Sequence, residues 1–326
     1  MALQRLIKFT LVFTLAVILM GAYTRLSDAG LGCPDWPGCY GHLAVPTASH
    51  ELAKVEQHFP DMTIEPEKAW LEMIHRYIAG TLGLMVLAIL IMCVRQTHAP
   101  KKLPSFIAVL IIFQAALGMW TVTMKLMPIV VMAHLIGGFS LFALLLLLYL
   151  RLKPLRIPGG DSHARKLMPL ALVCLGVLVI QIVLGGWTSA NYAALACTTL
   201  PICEGNWVDN LRFADAFSPF QGEHPSFEFG VLDYPTRMTI HISHRVWALV
   251  TAVMLIWLAI KLRYSHSHIM RNSGYLLLLL VIVQVGLGIS NVVMNLPLGI
   301  AVSHNAGAAL LLLTVVFINY ALWRKA

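Results

Sequence analysis

The chain has 326 residues, of which 59% are hydrophobic and only 12% are charged, and this balance excludes an ordinary soluble domain of this size. Its formal net charge is +8. Because membrane proteins concentrate basic residues on their inner side, we attribute this charge to membrane orientation and attraction to the inner leaflet, and we expect no nucleic-acid partner.

Eight apolar runs are long enough to cross a bilayer of about 30 Å as helices. The sequence therefore predicts an all-α polytopic membrane protein with eight transmembrane helices. In chain order the runs cover residues 6–25, 71–94, 105–124, 129–151, 167–188, 237–262, 272–293 and 298–322.

The charged residues predict the orientation of these helices. With the N-terminus inside, 15 of the 23 Lys and Arg lie on the inner side, and 14 of the 15 Asp and Glu, all but Asp161, lie on the outer side. The positive-inside rule then places both termini in the cytoplasm. Arg5 and Lys8 precede the first apolar run as in a signal peptide, but no small-residue cleavage site follows, so we expect this helix to be retained.

The second half of the sequence repeats the first. The pattern around Gly21 and Cys33 returns 164 residues later, and four helices in each unit give both copies the same orientation. We predict two tandem four-helix bundles, residues 1–157 and 158–326, joined on the inner side by a linker at about residues 152–166 that contains Pro154, Pro158, Gly159 and Gly160. At an offset of 170 the matching pairs are Gln114 and Gln284, Gly118 and Gly288, Met124 and Met294, and His134 and His304.

Four histidines occupy matching places in the two halves. His75 and His134 are 59 residues apart, and His244 and His304 are 60 residues apart. A neutral imidazole is a good ligand for haem iron, and an ionisable residue inside a membrane helix indicates function. The two pairs predict two six-coordinate haems, or two haem sites with different roles. The alternative is that each histidine only bonds a neighbouring helix.

Arginines near the outer helix ends run against the general charge distribution. Arg76 and Arg245 immediately follow proposed ligands, and Arg25 and Arg237 lie close to other outer ends. A guanidinium group suits the carboxylates of haem propionates, which makes these arginines candidate propionate contacts. For Arg25 and Arg237 the alternative is snorkelling to lipid phosphate.

Two Cys-x5-Cys pairs begin the long outer segments, residues 26–70 and 189–236. An oxidising outer compartment favours the disulfides Cys33–Cys39 and Cys197–Cys203. A metal site and a reactive dithiol are the alternatives.

The chain resembles the haem A synthase family. The resemblance is carried by the duplicated layout, by Gly-Ala-Tyr-Thr-Arg-Leu at 21–26, Gly-Leu-Gly-Cys-Pro-Asp-Trp-Pro-Gly-Cys at 30–39 and Glu-x-x-His-Arg at 72–76, and by His134 and His304. It covers nearly the whole sequence.

The resemblance implies that the C8 methyl of haem O is oxidised to the formyl group of haem A through successive hydroxylations. It implies that His75 and His134 ligate the substrate haem O in the N-terminal half, that His244 and His304 ligate a haem b in the C-terminal half, and that Glu72 is the active-site carboxylate. It also implies a bacterial inner-membrane location and partners that include a haem O synthase, an unidentified redox partner and cytochrome oxidase assembly factors. Assembly into a homo-oligomer is left open.

Glu72 is the chemical difference between the halves. It precedes His75 by three residues on the same helix face, whereas His241 occupies the matching position before His244. A carboxylate at this position can orient water, move protons or stabilise positive charge. The alternative is a structural role, in which the acid lies near a helix N-terminus and interacts favourably with the helix dipole. Two other functions remain alternatives, a di-haem b-type electron-transfer cytochrome and a haem carrier for oxidase assembly.

Overall fold

The computed structural model describes residues 2–60, 62–153, 162–201, 203 and 205–323. These residues form α-helices, one 3-10 helix at Val208–Asn210 and an isolated bridge between Cys39 and His42, and they contain no β-strand. The α-helices are α1 (Ala2–Leu26), α2 (Ser49–His58), α3 (Pro66–Arg95), α4 (Lys102–Thr123), α5 (Pro128–Leu152), α6 (Ser162–Arg165), α7 (Met168–Ala190), α8 (Phe213–Ala216), α9 (Tyr234–Arg263), α10 (His268–Val293) and α11 (Leu298–Trp323).

Eight of these helices are long and apolar enough to cross a membrane, namely α1, α3, α4, α5, α7, α9, α10 and α11. They contain 22 to 30 residues each, which at about 1.5 Å per residue spans the apolar layer of a bilayer. The predicted all-α fold with eight transmembrane helices is therefore confirmed, and the chain is a multi-pass membrane protein.

Several helices begin earlier than their apolar runs. Helix α3 begins at Pro66 and helix α9 at Tyr234, with proline in the first turn of each. Proline suits this position because the first backbone N–H groups of a helix have no intrahelical acceptor. The Asp233 carboxylate caps α9 by accepting a hydrogen bond from the backbone N of Thr236 at 3.1 Å, and hydrogen bonding to Thr236 lowers the pKa of Asp233. Hydropathy misses these first turns because they are polar.

The membrane helices form two rings of four. In the first ring α1, α3, α4 and α5 each pack against the next, and α5 closes onto α1. In the second ring α7, α9, α10 and α11 have the same order of neighbours. Between the rings α1 packs on α11, α5 on α7, and α5 on α11. If α1 corresponds to α7 and α5 to α11, the contact of α1 with α11 is equivalent to that of α7 with α5. A parallel repeat predicts this symmetry.

Backbone conformation repeats even where residue types differ. Lys125 and Leu126, between α4 and α5, have φ values of 48° and 63°, and Asn295 and Leu296, between α10 and α11, have values of 55° and 60°. In each turn the leucine donates its backbone N–H to the carbonyl five residues earlier, at 2.8 and 2.7 Å. Residues other than glycine rarely adopt positive φ, so the same unusual turn sets the register of both helix pairs.

Helix α5 contributes to the apolar cores of both rings. Its Leu141 and Leu145 belong to the first core, and Phe139 and Phe142 belong to the second. The hydroxyl of Tyr320 in α11 also donates a buried hydrogen bond to the backbone carbonyl of Leu150 in α5, at 2.9 Å. The predicted boundary between residues 157 and 158 lies outside the described residues, as do Pro154, Pro158, Gly159 and Gly160 of the predicted linker, so the division into two domains stays a prediction.

Candidate active site

Helices α3 and α9 carry the first histidine of each pair against a glycine of a neighbouring helix. A Cβ atom added to Gly21 of α1 would lie 2.8 Å from Cε1 of His75. A Cβ atom added to Gly185 of α7 would lie 3.0 Å from Cε1 of His244. Side chains at these glycines would displace the imidazoles, so the glycines are what allow each ring to lie on the adjacent backbone.

The second histidine of each pair has a similar environment. A Cβ atom added to Gly118 of α4 would lie 3.5 Å from Cε1 of His134 in α5. The equivalent distance from Gly288 of α10 to His304 in α11 is 3.3 Å. The four matching histidines therefore have four matching glycines, each on the membrane helix that precedes the histidine.

The imidazoles of each bundle lie within electrostatic range of one another, His75 with His134 and His244 with His304. In the described part of the chain the buried Nδ1 atom of His75 has no hydrogen-bond partner, and the rings of His134 and His304 interact only with the backbone at Gln114 and Gln284. Leaving a buried polar group unsatisfied costs about 1–3 kcal/mol, so such rings indicate binding. A pair of neutral imidazoles is a donor set that a haem iron accepts. The residues present therefore fit haem.

Glu72 is buried in α3, with 5% of its surface exposed. One carboxylate oxygen, Oε2, accepts a hydrogen bond from the backbone N of Cys33 at 2.9 Å. The other, Oε1, accepts a hydrogen bond from Nη2 of Arg76, with which Glu72 forms an ion pair. The carboxylate thus joins α3 to the segment that precedes it in the chain. Removing one partner of a buried ion pair commonly costs about 3–5 kcal/mol.

The arginine that follows the first histidine holds the cysteine loop in both bundles. Nη1 of Arg76 donates to the carbonyl of Gly38, inside the Cys33–Cys39 loop. In the second bundle the Arg245 guanidinium donates to the carbonyls of Cys197 and Thr199 at 2.6 and 2.7 Å. These guanidinium groups are already engaged with loop carbonyls, and their contact with propionates stays a prediction.

His241 takes the place of Glu72 in the second bundle. It is also buried, and its Nε2 accepts a hydrogen bond from Nε of Arg245 at 3.2 Å. Both residues therefore contact the arginine four positions later. Only the first bundle has a carboxylate four positions before this arginine.

Arg25 connects the two bundles at the outer end of α1. Its Nη2 donates to the carbonyl of Ser189 at 3.2 Å, and its guanidinium carbon lies 4.0 Å from the ring centroid of Tyr192, which is a cation–π contact. In the described part of the chain, the buried Nε atoms of Arg25 and Arg237 have no hydrogen-bond partner.

The outer loop of the first bundle lies directly on α3. The backbone at Gly32 approaches the backbone of Lys68 so closely that a Cβ atom on Gly32 would lie 2.6 Å from its carbonyl carbon. The Asp35 carboxylate stabilises the loop by accepting hydrogen bonds from the backbone N of Tyr40 and Gly41 at 2.6 and 2.7 Å. Burial in this packed loop raises the pKa of Tyr40 above its ordinary value.

Both cysteine pairs lie at disulfide distance. The Cα atoms of Cys33 and Cys39 are 4.8 Å apart, and those of Cys197 and Cys203 are 5.0 Å apart.

A side chain that the sequence analysis did not single out lies near the second pair of histidines. Gln181 of α7 places its Nε2 atom 3.2 Å from Nδ1 of His244. The available signal was a glutamine within an apolar run, one helical turn before Gly185.

A family model described as cytochrome oxidase assembly protein matches residues 4–316. The chain belongs to this family. Within it the chain is 70% identical over 326 residues to heme A synthase of Shewanella oneidensis, covering 100% of this chain and 98% of that protein. It is 27% identical to heme A synthase of Nitrosospira multiformis, covering 95% and 90% of the two chains, and 28% identical to that of Chelativorans sp., covering 91% and 84%.

We expect two of the six cysteines to react when the protein is trapped with N-ethylmaleimide at cell lysis and denatured without reductant. The two are Cys93 and Cys174, which have no partner at disulfide distance. Peptide mass spectrometry reads the labelled positions, and a reduced sample labelled at all six positions is the control. Complete labelling of Cys33 and Cys197 before reduction would favour the dithiol alternative.

Proposed function

We propose that this protein is a haem A synthase, which oxidises the C8 methyl group of haem O to the formyl group of haem A. The observation that carries the proposal is the 70% identity to a heme A synthase along the whole chain. The glycine-backed imidazole pairs support it, because a haem substrate and a resident haem each need a pair of axial ligands.

The N-terminal bundle is the proposed reacting half. His75 and His134 bind the iron of haem O, and Glu72 serves the reacting methyl group. This assignment is supported by the position of Glu72 one turn before His75, and by the neutral His241 at the matching place in the other bundle.

The C-terminal bundle is the proposed electron-transfer half, in which His244 and His304 hold a haem b. When bound, haem b supplies one-electron transfer for the oxidation. The protein contributes the orientation of the imidazoles and an apolar core that excludes water. Helices α5 and α11, which carry His134 and His304, pack against each other, and this contact supports electron transfer between neighbouring haem sites.

Glu72 has a defined chemical task in this proposal. In this proposal each of two successive hydroxylations of the methyl group takes its oxygen from water and releases two protons and two electrons, the electrons pass to the redox partner, and loss of water from the resulting diol gives the formyl group. A buried carboxylate can accept such a proton or orient a water molecule. Its hydrogen bond from the backbone of Cys33 and its ion pair with Arg76 fix the carboxylate relative to His75.

The proposed setting is a bacterial inner membrane with both termini in the cytoplasm. It is supported by the excess of Lys and Arg on the predicted inner side. The proposed partners are a haem O synthase that supplies the substrate, a redox partner that accepts electrons, and cytochrome oxidase assembly factors that receive the product.

Co-expression with a haem O synthase in a host without haem A tests the proposed activity. We expect chromatography of the extracted pigments to show haem A, which a host with the haem O synthase alone does not make. Unchanged haem O bound to the protein would favour a haem carrier. Haem b as the only bound pigment would favour an electron-transfer cytochrome.

The ligand assignment predicts different spectra for the two halves. His244→Ala and His304→Ala should remove the haem b absorbance, because each change deletes an axial ligand. His75→Ala and His134→Ala should leave it largely intact. Reduced-minus-oxidised spectra, normalised to purified protein, measure the difference. Haem b absorbance that persists in all four variants would contradict the assignment.

Glu72→Gln separates the carboxylate from the shape of the side chain. The amide can still accept the hydrogen bond from Cys33, but it cannot take up a proton, so haem A formation should fall about 10²- to 10⁴-fold. Haem b should remain, and haem O or a hydroxylated intermediate should accumulate, as measured by chromatography.

His241→Gln is the matched control, since it changes the equivalent position of the other bundle. We expect it to alter the haem b spectrum without a block at haem O. Limited proteolysis of the Cys33–Cys39 loop shows whether Glu72→Gln releases that loop. Parental haem A synthesis by Glu72→Gln protein would make the carboxylate structural.

A further inference from the structure

His244 differs from the other three proposed ligands in having a side-chain partner. Nε2 of Gln181 lies 3.2 Å from Nδ1 of His244 in a half-buried contact between α7 and α9. In the described part of the chain Nδ1 of His75 has no hydrogen-bond partner, and the rings of His134 and His304 interact with the backbone at Gln114 and Gln284, not with a side chain.

The orientation of the Gln181 amide has a chemical consequence. If Nε2 of Gln181 donates to Nδ1 of His244, the proton of the neutral imidazole lies on Nε2 of His244. That nitrogen is the one left to bind iron. The Oε1 atom of Gln181 is then buried without a partner in the described ranges. Rotation of the amide by 180° lets Nδ1–H of His244 donate to Oε1 of Gln181, which leaves Nε2 of His244 free for the metal.

The first bundle has no equivalent partner. Position 17, which lies 164 residues before Gln181, is the buried Val17. The spacing is the same one that relates Gly21 to Gly185, and both glycines contact the first histidine of their bundle. The backbone arrangement is therefore shared, and only the C-terminal bundle has a hydrogen-bonding side chain at this place.

We propose that Gln181 is a positioning residue that accepts a hydrogen bond from Nδ1–H of His244. This bond helps the C-terminal bundle to retain its haem, and it lowers the reduction potential of that haem. Val17 leaves His75 without such a partner, which suits a site that must release its haem product. The inference rests on the proposed function. A hydrogen bond to the distal nitrogen raises the basicity of a histidine ligand, and loss of such a partner typically weakens metal binding about 10- to 100-fold.

The test uses the full-length protein with Gln181→Leu and Gln181→Glu. Leucine cannot accept a hydrogen bond, so we expect a higher midpoint potential, altered g values of the ferric haem b in electron paramagnetic resonance, and haem transfer to apomyoglobin about tenfold faster. Glutamate keeps an acceptor oxygen, so its midpoint potential should equal or fall below the parental value and its haem retention should be near parental. Gln181→Met replaces the leucine variant if the latter does not accumulate in membranes.

Gln284→Leu is the matched control. Gln284 lies in the same bundle, but its Nε2 donates to the backbone carbonyl of His304 at 3.0 Å and not to a ring nitrogen. The same substitution there should shift the potential less than Gln181→Leu. The proposal is overturned if the two leucine variants shift the potential equally, if Gln181→Glu shifts it in the same direction as Gln181→Leu, or if Gln181→Leu is parental in all three measurements.

The His244→Ala variant distinguishes this inference from the proposed function. If His244→Ala protein keeps its haem b, the ligand assignment fails and the inference fails with it. If His244→Ala removes the haem and Gln181→Leu changes nothing, only the role of Gln181 is refuted.

Discussion

A membrane interior offers no water, so each polar atom there must find a partner within the protein or in a ligand. Helices satisfy their own backbone groups, and hydroxyl side chains follow the same rule. Thr14 and Thr251, for example, donate to the carbonyl four residues earlier. Against this background the imidazole of His75 stands out, because its buried Nδ1 atom has no partner in the described part of the chain. We propose that haem binds at this ring and at its three counterparts.

The architecture was predictable because hydropathy and repetition are properties of the sequence itself. Apolar runs located all eight membrane helices, and constant offsets paired the histidines and glycines. The short helix α2 was not predicted, because Ser49–His58 is polar and lies in an outer segment. The left-handed turns were also hidden, since Lys125 and Asn295 share a backbone conformation but no chemistry. A duplicated fold can preserve a φ angle after the residue has changed.

The contacts of the candidate site were less accessible to sequence analysis. The spacing of Glu72 and His75 indicated one helix face, but it could not show that Glu72 and Arg76 bind the loop around Cys33. Gln181 had no repeated partner to draw attention to it, since Val17 occupies the matching position. Such contacts join segments that are far apart in the sequence, and a local sequence pattern does not predict them. The asymmetry between equivalent positions was the informative signal at Glu72, and the same comparison identifies Gln181.

The outer loop of the first bundle is anchored on the helix that follows it in the chain. Its contacts reach Glu72, Arg76 and the backbone of Lys68, all in α3. A nascent chain emerges from the ribosome N-terminus first, so the loop is synthesised before the surface on which it rests. Docking must therefore wait for the insertion of α3, whereas Cys33 and Cys39, six residues apart, can meet earlier. During biogenesis, arrival of α3 is thus the step that completes the loop-covered face of its own bundle.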